Sequence, residues 1–96
     1  MSEQKIQFLI TNWLKKEGWL VTKLMMTTTS GIPDILAIRS GKTIFIEVKK
    51  PGGRLSKIQE YRIAEIRAQD IPVLVTDNLK ELKEWLNEEI LEGTNG

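Results

Sequence analysis

The sequence predicts an α/β domain in which a mixed β-sheet is flanked by helices, in the order α-β-β-β-α-β-α. Three observations support this. Apolar residues at three- and four-residue spacing mark amphipathic helices near both ends of the chain and once in the middle. Two short β-rich runs, "ILAI" and "TIFIEV", flank the turn signal "RSGK". A helix-sized segment then separates the second run from another buried one, "IPVLVT". A strand, a crossover helix and a strand in that order make the two strands parallel.

Each element has a local cause. Over residues 3–17, Ile6, Leu9, Ile10, Trp13 and Leu14 form one stripe, with Ser2 as N-cap and Gly18 as stop signal. Trp19, Leu20 and Val21 begin a short strand that extends to Met25 or Met26, and "MTTTSG" reads as a loop. Residues 35–38 and 43–48 are close enough to pair as an antiparallel hairpin. "PGGR" breaks the chain, and Ser56 opens a second helix to about residue 68, carrying Ile58, Tyr61, Ile63, Ala64 and Ile66. Residues 71–76 form the next strand, with Pro72 tolerated near its start. Asn78 with Glu81 reads as a capping box for a last helix over 79–91, striped by Leu82, Trp85, Leu86 and Ile90. Residues 1–92 are thus one domain and 93–96 a flexible tail, with neither an internal repeat nor a linker.

Composition narrows the chemistry. Ninety-six residues suit one domain, and 41% hydrophobic residues with three tryptophans supply a modest core. Without cysteine there is no disulfide and no zinc-thiolate site; without histidine there is no Ser-His-Asp triad, Cys-His pair or helical zinc motif. An enzyme built on this chain works with carboxylates, lysines, hydroxyls and a hard cation held through oxygen. No apolar run is long enough to span a bilayer and no signal peptide is evident, so the expectation is an intracellular protein with no membrane partner. Residues 39–67 carry a net charge of +5 and residues 77–96 a net −4. That asymmetry suits a face for a polyanion, or else describes ordinary solvated helices.

Asp34, Glu47 and Lys49 stand out because they lie in or beside otherwise apolar strands. Taken singly, each has a plain reading. Pro33-Asp34 makes a stiff turn before a strand, next to a glycine, Gly31, that permits close backbone approach. Alternation places Phe45, Glu47 and Lys49 on one face, where Glu47 and Lys49 would form a salt bridge worth at most about 1 kcal/mol. Taken together they say more. The hairpin brings Asp34 and Glu47 to one end of the sheet, where two carboxylates need a cation or a shared proton. Oxygen ligands favour Mg²⁺ or Mn²⁺, and the Val48 backbone carbonyl is a further candidate ligand. Lys49 beside them could orient a water or stabilise charge developing on phosphorus.

Pro33-Asp34 followed by Glu47-Val48-Lys49 resembles the PD-(D/E)XK nuclease signature. With Gly31-Ile32 ahead of it, the Pro-Gly-Gly-Arg loop (51–54) and Gln59 behind, the pattern resembles the VRR-Nuc (virus-type replication-repair nuclease) family, and a stand-alone, phage-type member of it. The resemblance implies a restriction-endonuclease-like core and a Mg²⁺- or Mn²⁺-dependent DNA endonuclease in a bacterial or phage-infected cell. It implies Asp34 and Glu47 as metal ligands, Lys49 as the catalytic lysine, and Gln59 as a fourth catalytic residue beside the site that positions Lys49, water or a phosphate. Gln59 also fits a capping box with Ser56. Glu3, the acid nearest the start of the first helix, either reaches the metal or complements the helix dipole. Lys50, Arg54, Lys57 and Arg62 are candidate DNA contacts that would grip phosphates without reading bases, and Arg67 lies on the same helix.

For substrate, the resemblance implies branched DNA. Four-way (Holliday) junction resolution by a homodimer is the first reading, because two symmetric incisions suit a two-fold pair of sites. Trp19, Met25 and Met26 are candidates for self-association or for the core. A flap or other branched-DNA nuclease, and a non-catalytic DNA-binding module of the same fold, are the alternatives. The acidic last helix, with Glu81, Glu84, Glu88 and Glu89, allows a replication or repair protein as a further partner.

Overall fold

Ser2 accepts a hydrogen bond from the Lys5 amide at 3.1 Å, and the first helix starts there as predicted. The computed structural model describes residues 1–95, with side chains through residue 89. The elements are α1 (Glu3–Lys16), β1 (Leu20–Lys23), β2 (Ile35–Arg39), β3 (Lys42–Val48), α2 (Lys57–Arg67), β4 (Val73–Thr76) and α3 (Leu79–Asn95). α3 runs four residues past its predicted end, into the stretch expected as a tail. The Ile90 side chain of its predicted stripe lies outside the described residues. β1 is shorter than predicted. The Leu24 amide makes one further bond to the Asp34 carbonyl (2.8 Å) before the chain leaves the sheet at Met25.

The four strands lie in the order β1-β2-β3-β4, antiparallel except for the parallel β3–β4 pair. The β2–β3 hairpin turns on two residues, Ser40 (φ 50°) and Gly41 (φ 80°). Two consecutive positive φ values define the tight turn whose twist matches the strands, so "SG" fixes the register. Ile35 opposes Ile46 and Ala37 opposes Ile44. On this face those four residues and Val48 pack against Ile6, Ile10 and Leu14 of α1 and Leu82 and Leu86 of α3. Trp19 joins this core and is buried, so of the three self-association candidates it goes to the core while Met25 and Met26 stay exposed.

α2 covers the opposite face along β3 and β4, where Ile63 and Val73 are buried. Arg67 at its last turn donates to the Val73 carbonyl at 2.8 Å, so this side chain serves the fold. α2 is also locked to the loop before β2. Arg62 Nε donates to the Ser30 carbonyl at 2.8 Å, and Gly31, at φ +80°, sits so close that an added Cβ would be 2.6 Å from the Ile58 carbonyl oxygen. The side-chain-free approach expected at Gly31 is therefore against α2. Gly31→Ala combines a left-handed backbone cost of about 1–2 kcal/mol with a clash against rigid helix backbone. It should lower the melting temperature by about 10 °C, read by thermal circular dichroism, whereas Gly41→Ala, which meets no atom within 4 Å, should cost only the backbone term.

Candidate active site

Extending the β2–β3 register by one pair sets Asp34 opposite Glu47. The two carboxylates that the sequence proposes as partners are thus adjacent at one end of the sheet. Asp34 is held by its own neighbour strand: its Oδ2 accepts the Val48 amide at 2.9 Å. A strand residue sends its N–H and C=O to the same side, so the Val48 carbonyl also faces the Asp34 side. The amide bond to Asp34 was not foreseen in the sequence, which singled out only the carbonyl.

Glu47 is not on a solvated face. It is only 1% exposed, because α2 closes over that side of the sheet, so the plain reading of a surface salt bridge does not hold. Its Oε2 has two neighbours, Lys49 Nζ at 3.5 Å and Gln59 Nε2 at 3.5 Å. Its Oε1 is buried with no hydrogen-bond partner among the described residues. Burial first, and the Asp34 carboxylate second, push the Glu47 pKa from 4.5 up to about 7, against a smaller opposing pull from Lys49. A buried, half-satisfied carboxylate facing a second one is an arrangement that a folded chain tolerates where a cation or a proton is to be taken up.

Gln59 forms the capping box and also lies beside the site, against Glu47 rather than Lys49. Its Oε1 accepts the Ser56 amide at 2.9 Å while Ser56 Oγ accepts the Gln59 amide at 3.2 Å, completing the capping box. Its amide NH₂ group is thereby turned toward Glu47. The cap thus fixes which end of the Gln59 amide faces Glu47.

The remaining site predictions divide. Glu3 lies in the first turn of α1, and among the described residues no three acidic side chains come together as a metal cluster, so it does not join Asp34 and Glu47. Its place in the first turn is one where a carboxylate complements the helix dipole. Arg62 is engaged, by Ser30 as above and by Glu65 at 2.7 Å, which makes it a clamp on α2 before it is a DNA contact. Lys50, Arg54 and Lys57 are exposed around the glycine loop and the start of α2.

The residues present fit a hard divalent cation. Asp34 and Glu47 supply two carboxylates, one with an orphaned oxygen, and the Val48 carbonyl a neutral oxygen. Mg²⁺ is commonly held by one or two carboxylates, with water and substrate phosphate completing its shell, so a third acid is not required.

Comparison with known proteins follows the same line. The model of the VRR-NUC domain family matches residues 10–77, which include Asp34, Glu47, Lys49 and Gln59. A solved structure described as a VRR_NUC domain superposes with a TM-score of 0.79 at 25% identity, covering 88% of this chain and 94% of the other. A second, a VRR_NUC domain protein, superposes with a TM-score of 0.73 at 17% identity, covering 91% and 86% of the two chains, and shows likeness of fold. No curated protein sequence matches the chain.

Proposed function

The chain belongs to the VRR-NUC family of nuclease domains, and from that premise we propose that it is a Mg²⁺- or Mn²⁺-dependent endonuclease that hydrolyses phosphodiester bonds in branched DNA, resolving four-way junctions as a homodimer. The observation that carries this reading is the opposed pair Asp34 and Glu47, with Lys49 against the second carboxylate.

The mechanism follows from the side chains. Asp34 and Glu47 would hold the cation together with the Val48 carbonyl, and the bound ion supplies a Lewis acid for the phosphoryl oxygen and acidifies water at neutral pH. Lys49, 17% exposed, has its stem in the site and its ammonium between Glu47 and solvent. It is placed to hold the attacking water or to neutralise charge building on the phosphoryl oxygens in the transition state. Gln59 donates toward Glu47 and fixes the orientation of that carboxylate. Lys50, Arg54 and Lys57 grip flanking phosphates. Such contacts position a backbone without reading bases, which favours recognition of structure over sequence.

Self-association has a surface available. α2 packs along β3 and β4 and against the loop before β2, and farther along the same face Leu20, 71% exposed, pairs across to the exposed Ile38. Met25 and Met26, 81% and 96% exposed, follow the edge strand β1. A strand edge beside exposed apolar side chains is a surface that natural proteins usually cover. Among the described residues no helix is long and apolar enough to cross a membrane.

The test is cleavage of labelled four-way junction, flap and plain duplex by purified protein with Mn²⁺. The expected result is paired nicks on opposite junction strands and little cutting of duplex. Flap cleavage without junction cleavage would move the assignment to the flap reading. No cutting of any branched DNA would defeat the catalytic reading and leave the DNA-binding module.

A further inference from the structure

On the side of Lys49 toward β4 lies a cavity of about 220 Å³, bounded by Lys49, Gly53, Leu55, Val75, Asp77 and Glu81. We propose that this cavity receives the base of an unpaired nucleotide adjacent to the scissile phosphate. The inference rests on the nuclease reading and names the feature of branched DNA that the site selects.

Register brings the cavity to the chemistry. Glu47 pairs with Val75 and Val48 with Thr76 in the parallel β3–β4 ladder. The Lys49 amide carries the ladder one step further, donating to the Thr76 carbonyl at 2.9 Å. Asp77 therefore comes alongside Lys49. Lys49 is a shared wall: its Nζ lies 3.5 Å from Glu47 Oε2, and the same side chain bounds the cavity. A group seated there shares the Lys49 side chain with a phosphate bound at Asp34 and Glu47.

The lining decides which group fits. Asp77 and Glu81 set two carboxylates against the two ammonium groups of Lys49 and Lys50, so the lining is balanced in charge and lacks the excess of cations that a phosphate needs. Asn78 fixes the acidic wall, donating from Nδ2 to Asp77 Oδ1 at 2.6 Å and accepting the Glu81 amide at its Oδ1 at 2.7 Å. Leu55 and Val75 are half-buried and offer apolar contact. The glycine loop leaves the opposite wall as bare backbone; a Cβ on Gly53 would be 2.9 Å from the Lys50 carbonyl oxygen. The cavity thus presents acceptors, two cationic donors and apolar contact. A nucleobase has the matching features, with flat apolar faces and an edge carrying both N–H donors and acceptors. In a duplex that edge is already paired, so only a nucleotide released from pairing can enter. Selection for branched DNA then needs no recognition helix.

The test uses two readouts. In the first, catalytically silent Glu47→Gln binds branched DNA carrying 2-aminopurine, scanned through the positions around the branch. In the second, wild-type protein with Mn²⁺ cuts the same DNA with an abasic site at each position next to the mapped incision. The expected results are a fluorescence change confined to one such position, and a fall in kcat/KM of about tenfold when that base is missing. Asp77→Asn or Glu81→Gln should weaken both responses, and the abasic change should cost these variants less than it costs wild type. Equal cleavage of intact and abasic DNA, with no position-specific fluorescence, would overturn the proposal while leaving the nuclease reading in place. A fluorescence response without cleavage by wild type would uphold base capture and defeat the nuclease reading instead.

Discussion

Lys49→Ala is expected to slow metal-dependent cleavage by about 10³-fold while leaving DNA affinity nearly unchanged. Two effects combine. The ammonium near Glu47 Oε2 is lost from the place where charge develops on the phosphoryl group. Glu47 also loses the one cationic group that opposes its raised pKa, so less of it is ionised at neutral pH and less is available to a cation. Lys49→Arg should not restore the rate, because a planar fork cannot replace a compact ammonium in this half-buried position. Asp34 needs a different substitution. Asp34→Ala would leave the Val48 amide without its acceptor, a cost of about 1–3 kcal/mol unrelated to catalysis. Asp34→Asn keeps an oxygen for that amide and removes only the charge, so its loss of activity reports on the cation. Single-turnover cleavage with enzyme in excess separates these steps from binding. A Lys49→Ala variant within tenfold of wild type would show that the lysine is structural.

The order of elements and the Asp34–Glu47 juxtaposition were legible in the sequence because both follow from short-range rules. The turn "RSGK" sets the register, and register sets which residues oppose each other. The environment of Glu47 was not legible. Strand alternation assigns it a face but cannot say what lies over that face, and α2 turns a surface salt bridge into a buried carboxylate. The same long-range packing explains Arg62, which composition groups with the DNA-facing bases but which the fold uses to tie α2 to Ser30. Gln59 shows the opposite case: the cap and a place beside the site looked like rivals, yet one amide group has an end in each. Glu3 was proposed from resemblance alone, with no local rule aiming it at the site. Asp77 went unnoticed since a lone acid after a strand carries no signal until the parallel register sets it beside Lys49.

Glu47→Gln should make the metal-free protein more stable at pH 8, even as it abolishes activity. The reason lies in the proton balance of the buried carboxyl. Below about pH 4.5 it is protonated in both folded and unfolded chains and contributes nothing to the difference. Between 4.5 and about 7 the unfolded chain releases the proton while the folded chain keeps it. The folded state then binds more protons, so stability falls as pH rises through this window. Above pH 7 the full penalty is present, on the order of 3 kcal/mol for a shift of this size. Glutamine carries no such penalty, so the two proteins should melt at similar temperatures near pH 4.5 and diverge by about 10–20 °C toward pH 8. Mn²⁺ should close that gap for wild type only, since a cation binding the folded state alone adds about 2.7 kcal/mol at a hundredfold excess over its Kd. Parallel melting curves for the two proteins across this range would mean that Glu47 is not the strained group described here. A Mn²⁺ shift of equal size in both would place the cation elsewhere.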